Sequence, residues 1–196
     1  MTAEQIAIRR PVWVATSNLF LDTDVRLWYA SVARTLAESP FTSEQLETMF
    51  MAEVAPVVEV NLLSPSGESA RFDEEWLVSR IVARLEQKVR LPSFIARSRW
   101  QSIVPLVESL RKTEQEDWPK RVAVWEQMSK LFLDRKCDLA AFEGGWTAAD
   151  LDGIWRNEVW PTYGRSVKAY RKQNPDAYPS EEEIAIGWAR IRNAMS

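Results

Sequence analysis

Carboxylates are the side chains of this sequence that could do acid–base chemistry, because its 196 residues contain no histidine and a single cysteine, Cys137. Asp22 and Asp134 end two nearly identical segments, so a symmetric arrangement could pair them as general acid and general base. The alternative is structural, since an aspartate after Leu-Phe-Leu can end one helix and cap the next. We favour the structural role for both.

Other catalytic and cofactor chemistries lack their residues. The absence of histidine excludes His-dependent triads and most zinc sites, and one cysteine cannot form a disulfide or a thiolate cluster within the chain. Gly144-Gly145 has neither the Lys-Ser/Thr nor the glycine spacing of a phosphate-binding loop. Asp73, Glu86 and Lys88 superficially match a nuclease site, but that site needs strands and the local period is helical. We therefore expect no enzyme activity, no cofactor and no metal.

Acidic clusters and tryptophans are the residues best suited to bind another protein. Aromatic side chains dominate the energetic centres of interfaces, and acidic side chains complement basic partners. The chain has ten tryptophans, of which we expect Trp13, Trp125 and Trp155 to be core residues. The candidate partner-binding residues are Asp73, Glu74, Glu75, Trp76, Glu181, Glu182 and Glu183. The simpler alternative is that both clusters are ordinary acids in a helix's first turn.

A duplicated sequence carries these residues. The pattern Val-Trp-x3-Ser-x-Leu-Phe-Leu-Asp at residues 12–22 returns at 124–134, 112 residues later, with seven of the eleven positions identical. Matches within residues 42–56 return in the same order at 147–161, 105 residues later. The second copy is therefore seven residues shorter between its two matched segments. A doubled unit usually packs as two related halves around a pseudo-two-fold axis.

The spacing of apolar residues predicts helices throughout. One helical face is formed by Val78, Ile81, Val82, Leu85 and Val89. Helix starts are predicted at Thr42, Asp73, Thr147 and Ser180, which have the residue types of N-caps. We predict an all-α fold of two pseudo-symmetric helical repeats joined by a central helix. The first repeat would span residues 1–91, the connecting helix 92–117 and the second repeat 118–196.

Composition places the chain among globular proteins, with 46% hydrophobic residues, 27% charged residues and a net charge of -3. No run approaches the ~20 apolar residues of a membrane helix, and the N-terminus has the wrong order for a secretory signal. We expect a cytoplasmic protein without a membrane partner. Six Lys and Arg residues between Arg80 and Arg99 could form a basic stripe, although they also suit the end of a helix.

Residues 9–85 resemble a family of small uncharacterised bacterial proteins. The resemblance is carried by residues 9–13, 19–23, 36–40, 53–57, 61–63 and 72–77. In the family an Ala-Gly-Glu-Trp-like turn precedes the last of these segments, whereas this chain has Ser66-Gly67-Glu68-Ser69 and lacks the tryptophan. The family has no activity to transfer. Its members are similar to the small helical proteins found beside bacterial toxin genes.

Our leading hypothesis is a cytoplasmic immunity protein that binds a toxic effector, most plausibly a nuclease, and blocks it by occlusion. The acids would cover the effector's basic groove and the tryptophans would form the desolvated centre. One alternative is an adaptor or chaperone that loads a partner protein. The other is a nucleic-acid-binding helical module that uses the Arg80 to Arg99 stripe, although we do not expect nucleic acid as a partner. The sequence leaves the oligomeric state open.

Overall fold

The computed structural model describes residues 1–21, 24–59, 71–87, 94–133, 137–142, 145–164 and 179–194. Across these ranges the protein is all-helical, as predicted, and contains no strand. Asp22 and Asp134, the possible carboxylate pair, lie outside the described residues. The chain divides into two compact units, residues 1–104 and 105–196, so the division falls at Pro105.

Unit 1 is built from helices of very different lengths. Its α-helices are α1 (Ala3–Ser17), α2 (Tyr29–Glu38), α3 (Ser43–Thr48), α4 (Ala55–Val58) and α5 (Glu74–Gln87), and α6 (Phe94–Arg111) begins in it. Two 3₁₀ turns, Asn18–Phe20 and Val25–Trp28, lie between α1 and α2. A π-helix, Met49–Val54, joins α3 to α4. Helix α1 contacts α2, α5 and the π-helix, and is therefore central to this unit.

Unit 2 contains the end of α6 and then α7 (Trp118–Lys130), α8 (Ala148–Ile154) and α9 (Glu181–Ala194). Short 3₁₀ turns occur at Gln115–Asp117, Leu131–Leu133 and Leu139–Phe142. A π-helix, Trp155–Gly164, follows α8 directly. Helix α9 approaches the Leu131–Leu133 turn closely at Gly187, where a Cβ atom would lie 2.7 Å from Leu131 Cδ2. Gly187 therefore permits this close packing.

The predicted helix caps are confirmed. The Thr42 hydroxyl accepts a hydrogen bond from the Gln45 amide at 3.2 Å, and the Thr147 hydroxyl accepts one from the Asp150 amide at 3.2 Å. Ser180 caps α9 in the same way. The Asp73 carboxylate accepts the Trp76 amide at 2.7 Å. These bonds satisfy backbone amides that have no partner within the first helical turn.

Equivalent aromatic residues form the core of each unit. Trp13 and Trp125 are fully buried, as predicted, and Trp155 is 8% exposed. Phe20 packs on Phe50 with ring centroids 5.5 Å apart, and its counterpart Phe132 packs on Trp155 at 5.3 Å. The duplicated residues of the sequence therefore form the same kind of aromatic contact in both cores.

The two π-helices coincide with the second matched segment of the duplication. The motif Glu-Val-x-Pro ends the first π-helix and continues into α4 at Pro56, and it lies within the second at Pro161. A proline has no amide hydrogen to donate, and its ring clashes with the carbonyl one turn earlier in a regular α-helix. The wider π turn accommodates the proline, so the repeated motif specifies the repeated helix type.

Candidate functional site

A partly buried contact among arginine, tryptophan and glutamate recurs in the two units. In unit 1 the Trp13 indole N–H donates to Glu53 Oε2 at 2.6 Å, and Arg9 donates to Glu53 Oε1 at 3.2 Å. Arg9 precedes Trp13 by one helical turn, so both side chains leave the same face of α1. Glu53 reaches them from the π-helix.

Unit 2 repeats the contact, and its arginine donates two hydrogen bonds to the glutamate where that of unit 1 donates one. The Trp125 indole N–H donates to Glu158 Oε2 at 2.7 Å, and Arg121 Nε donates to the same oxygen at 3.1 Å. The second Arg121 nitrogen donates to Glu158 Oε1 at 2.5 Å, which completes a bidentate pair. The side chain of Glu158 is 8% exposed.

These carboxylates are structural groups. Each accepts two or three donors from its own unit, and both indole rings are fully buried. Glu53 and Glu158 were predicted as matched residues, but their contacts were not. The missed signal was an arginine four residues before the matched tryptophan in both copies, Arg9 and Arg121.

The first predicted binding cluster surrounds the start of α5. Glu74 and Glu75 both accept hydrogen bonds from the Arg10 guanidinium, which reaches across from α1. The hydrogen bonds to Glu74 and then Glu75 raise the pKa of Arg10 above its ordinary value. Asp73 is the cap of α5. The single positive charge of Arg10 therefore offsets one of the three negative charges of this cluster.

Trp76 is the member of this cluster that the structure presents to solvent. All ten tryptophans lie in the described part of the chain, and among them Trp76 alone is exposed, at 42%. Its ring stacks on Phe72 with a centroid separation of 6.0 Å and an interplanar angle of 11°. Arg80, one turn later, lies over the same ring at 6.0 Å. Phe72 and Arg80 thus hold an exposed aromatic ring in a defined orientation.

The second predicted cluster begins α9. Glu181, Glu182 and Glu183 are all exposed. Glu183 completes a capping box, because its carboxylate accepts the Ser180 amide at 2.6 Å. Glu181 lines a cleft of about 560 Å³ together with three tryptophans, Trp155, Trp160 and Trp188. The α9 acids therefore combine a capping role with one wall of an aromatic cleft.

The described part of the Arg80 to Arg99 stripe is not a uniformly exposed basic surface. Arg80 contacts Trp76, and Arg99 lies over the Phe20 ring at 5.2 Å. Two guanidinium nitrogens of Arg84 are buried. Lys88 and Arg90 lie outside the described residues. At least two of the six cations are therefore directed toward the protein rather than toward a polyanion.

A second cleft, of about 490 Å³, lies in unit 1 between α1 and α2. Arg71 and Trp28 line it together, with the Arg71 guanidinium 5.8 Å from the centre of the Trp28 ring. Asn18 also lines it, and the Oδ1 atom of this 6% exposed residue is buried without a hydrogen-bond partner among the described residues. In the described part of the shorter second copy, the Leu139–Phe142 turn stands in place of α2, and no counterpart of the helix that forms this wall is present there.

Membrane-spanning helices and metal-binding clusters are both absent from the described residues. No helix is long and apolar enough to cross a membrane in the part of the chain that the structure describes. No group of three histidine, cysteine or acidic side chains within the described ranges could hold a metal ion. Cys137 is half-buried, and its burial raises the pKa of its thiol.

Comparison with known proteins identifies a family without an assigned role. No curated protein and no solved structure matches the chain. Residues 7–118 match a domain of unknown function, DUF7079, over the first copy of the duplicated sequence and the segment that follows it. This match covers more than half of the 196 residues, and the chain therefore belongs to the DUF7079 family.

Proposed function

We propose that the chain is a protein-binding module that blocks its partner, and that it acts as a bacterial immunity protein against a toxic effector, most plausibly a nuclease. The observation that carries the proposal is the exposed Trp76 on the surface of α5. The resemblance to small helical proteins encoded beside toxin genes supports the choice of an effector as the partner. We propose that the protein carries out this role in the cytoplasm.

An exposed, oriented tryptophan is the type of residue that dominates binding energy at interfaces. Such a ring supplies a large apolar area and loses little side-chain entropy when it is already held. Phe72 and Arg80 provide that support for Trp76. Polar and charged neighbours around the ring would exclude water from it in a complex, as the rim of an interface does. The Trp76 surface, which we define as Phe72, Trp76 and Arg80, is the proposed centre.

We propose a division of roles between the two acidic clusters. Arg10 already pairs with Glu74 and Glu75, so the α5 cluster adds less long-range attraction for a basic partner than its sequence indicates. We infer that these acids position the rim around Trp76, while the α9 acids Glu181 and Glu182 contribute the steering charge. The recurrence of the Arg–Trp–Glu contact further supports the proposal that the two units are repeats of one ancestral unit. Their pseudo-symmetric arrangement stays a prediction.

The test is a growth-rescue assay with a matched pair of variants. A partner captured from the host would be expressed alone and with the chain, and its toxicity scored by colony counts. We expect the wild type to restore growth. Trp76→Ala should abolish rescue and raise Kd by about 30-fold or more, the loss expected for an interfacial hot spot. Leu139→Ala removes a similarly exposed apolar side chain, at 44% exposure, from the Leu139–Phe142 turn and should leave rescue intact.

Two outcomes would contradict the proposal. A partner that binds tightly but stays lethal in the presence of wild-type chain would identify an adaptor or chaperone. Rescue by Trp76→Ala that equals rescue by the wild type would remove the Trp76 surface from the interface. Circular dichroism of Trp76→Ala would verify that the variant is folded, because an exposed ring contributes little to the core.

A further inference from the structure

We propose that the cleft between α1 and α2 in unit 1 is a binding site for a small zwitterion that carries both a carboxylate and an ammonium group, the chemistry of a free α-amino acid. The volume of about 490 Å³ lies in the range of small-molecule sites. None of the three residues of the Trp76 surface lines this cleft, although Glu74 of its rim does, and the proposal does not depend on the immunity function. Its walls offer one available cation and several acceptors.

Arg71 is the group that would hold the carboxylate. Its guanidinium carbon lies over the Trp28 ring, 5.8 Å from the ring centre, and it forms no ion pair with any residue that the structure describes. A guanidinium that stacks on an aromatic face keeps its N–H donors at the edge of its plane, where they can bind a carboxylate through two parallel hydrogen bonds. The other arginine of the cleft, Arg10, is already occupied by Glu74 and Glu75.

The side-chain amide oxygen of Asn18 indicates that the ligand carries a hydrogen-bond donor. This Oδ1 atom is buried and has no hydrogen-bond partner in the part of the chain that the structure describes, and the residue is more than nine-tenths buried and lines the cleft. Burying an unpaired amide oxygen is unfavourable, and an N–H donor from a bound molecule would satisfy it. An ammonium group has three such donors.

Further acceptors line the same cleft. Pro11 has no amide hydrogen to donate to the carbonyl of Ala7, one turn earlier, and both residues line the site. Ser31 and Thr35 donate their hydroxyl hydrogens to backbone carbonyls, which leaves their oxygens as acceptors. A simple anion would use Arg71 but none of these groups, whereas a zwitterion uses both.

The experiment uses the full-length chain and free amino acids as probes. Saturation-transfer NMR with a mixture of the twenty amino acids would find any that bind, and calorimetry would then give Kd for each. Acetate and inorganic phosphate test for recognition of an anion alone, and methylamine tests for an ammonium alone. We expect at least one amino acid to bind more tightly than all three comparators.

Three variants locate the site. Arg71→Gln should raise Kd by at least about tenfold, because it removes a charge-assisted bidentate contact from an exposed side chain. Ser31→Phe, at an exposed position of α2, should abolish binding by filling the cleft. Arg156→Gln, an exposed arginine of the tryptophan-lined cleft in unit 2, should leave Kd unchanged.

Several results would overturn the proposal. The absence of binding by any amino acid at millimolar concentration would do so, as would equal affinity for acetate, since the acceptors would then play no part. If Arg156→Gln raised Kd and Arg71→Gln did not, the ligand would bind in unit 2 and not in this cleft. Because Arg71 and Ser31 are exposed, both variants should retain the wild-type circular dichroism spectrum, and loss of binding can be read as loss of contacts.

Discussion

Replacing Glu158 with alanine tests whether the repeated Arg–Trp–Glu contact stabilises unit 2. The change removes the acceptor for two Arg121 nitrogens and for the Trp125 indole, and all three donors would be left inside a site whose glutamate side chain is only 8% exposed. Breaking one partner of a buried ion pair costs about 3–5 kcal/mol. Arg121 is 20% exposed, so water can reach part of its guanidinium, and we expect a loss of about 3 kcal/mol in the free energy of unfolding.

The assay is urea unfolding followed by circular dichroism, in which a loss of about 3 kcal/mol lowers the midpoint by about 1–2 M. Glu53→Ala should cost less, about 2 kcal/mol, because Arg9 makes one bond to Glu53 and is 28% exposed. The control is Glu38→Ala, which breaks an exposed pair with Arg34 and should cost at most about 0.5 kcal/mol.

The unpaired charge itself can be tested by removing both partners. Arg121→Met combined with Glu158→Leu should be more stable than Glu158→Ala, because no buried charge is left without a partner. If Glu158→Ala unfolds at the same urea concentration as Glu38→Ala, the buried contact contributes nothing and the reasoning is refuted. If the double variant is less stable than Glu158→Ala, the ion pair contributes more to the free energy of unfolding than the avoidance of an unpaired buried arginine does.

Two further predictions concern titration. Burial raises the pKa of Cys137, and its Sγ donates to the Gln127 carbonyl at 3.1 Å. The folded protein should therefore react with a disulfide reagent much more slowly than the urea-unfolded chain at pH 8. Equal rates for the two states would contradict this. Hydrogen bonds from the Thr147 hydroxyl and amide lower the pKa of Asp150, so the stability that this cap adds is present above the ordinary aspartate pKa and is lost as the pH falls through the lowered value. NMR titration should show the Asp150 pKa rising in Thr147→Val, and the matching Thr42 cap, which uses the uncharged Gln45, should show no such pH dependence.

Local rules predicted the helices and their starts because both are encoded within a few residues. Thr42, Asp73, Thr147 and Ser180 cap as predicted, and Trp13 and Trp125 are buried as their helical neighbours indicated. Irregular helices were missed. The segment from Asp24 to Glu38 has room for one helix but begins as a 3₁₀ turn, because Asp24 accepts the Arg26 amide and also binds the Arg26 side chain.

Contacts between residues far apart in sequence could not be predicted from local patterns. Glu74 and Glu75 are typical first-turn acids in sequence, and only the approach of α1 brings Arg10 onto them. The exposure of Trp76 likewise depends on which face of α5 packs inward, with Leu77, Val78 and Ile81 buried beside it. The cleft of unit 1 needs Asn18, Trp28 and Arg71, which are separated by up to 53 residues and share no motif.

The second copy is shorter than the first, so features that both copies share can be distinguished from those found in unit 1. Both copies keep the Arg–Trp–Glu contact and the aromatic core pair, which each unit needs for stability. Only unit 1 has α2, and α2 contributes Ser31, Val32 and Thr35 to the 490 Å³ cleft. The contacts that both copies retain therefore belong to the fold, and the zwitterion proposal rests on residues of unit 1, among them those of α2.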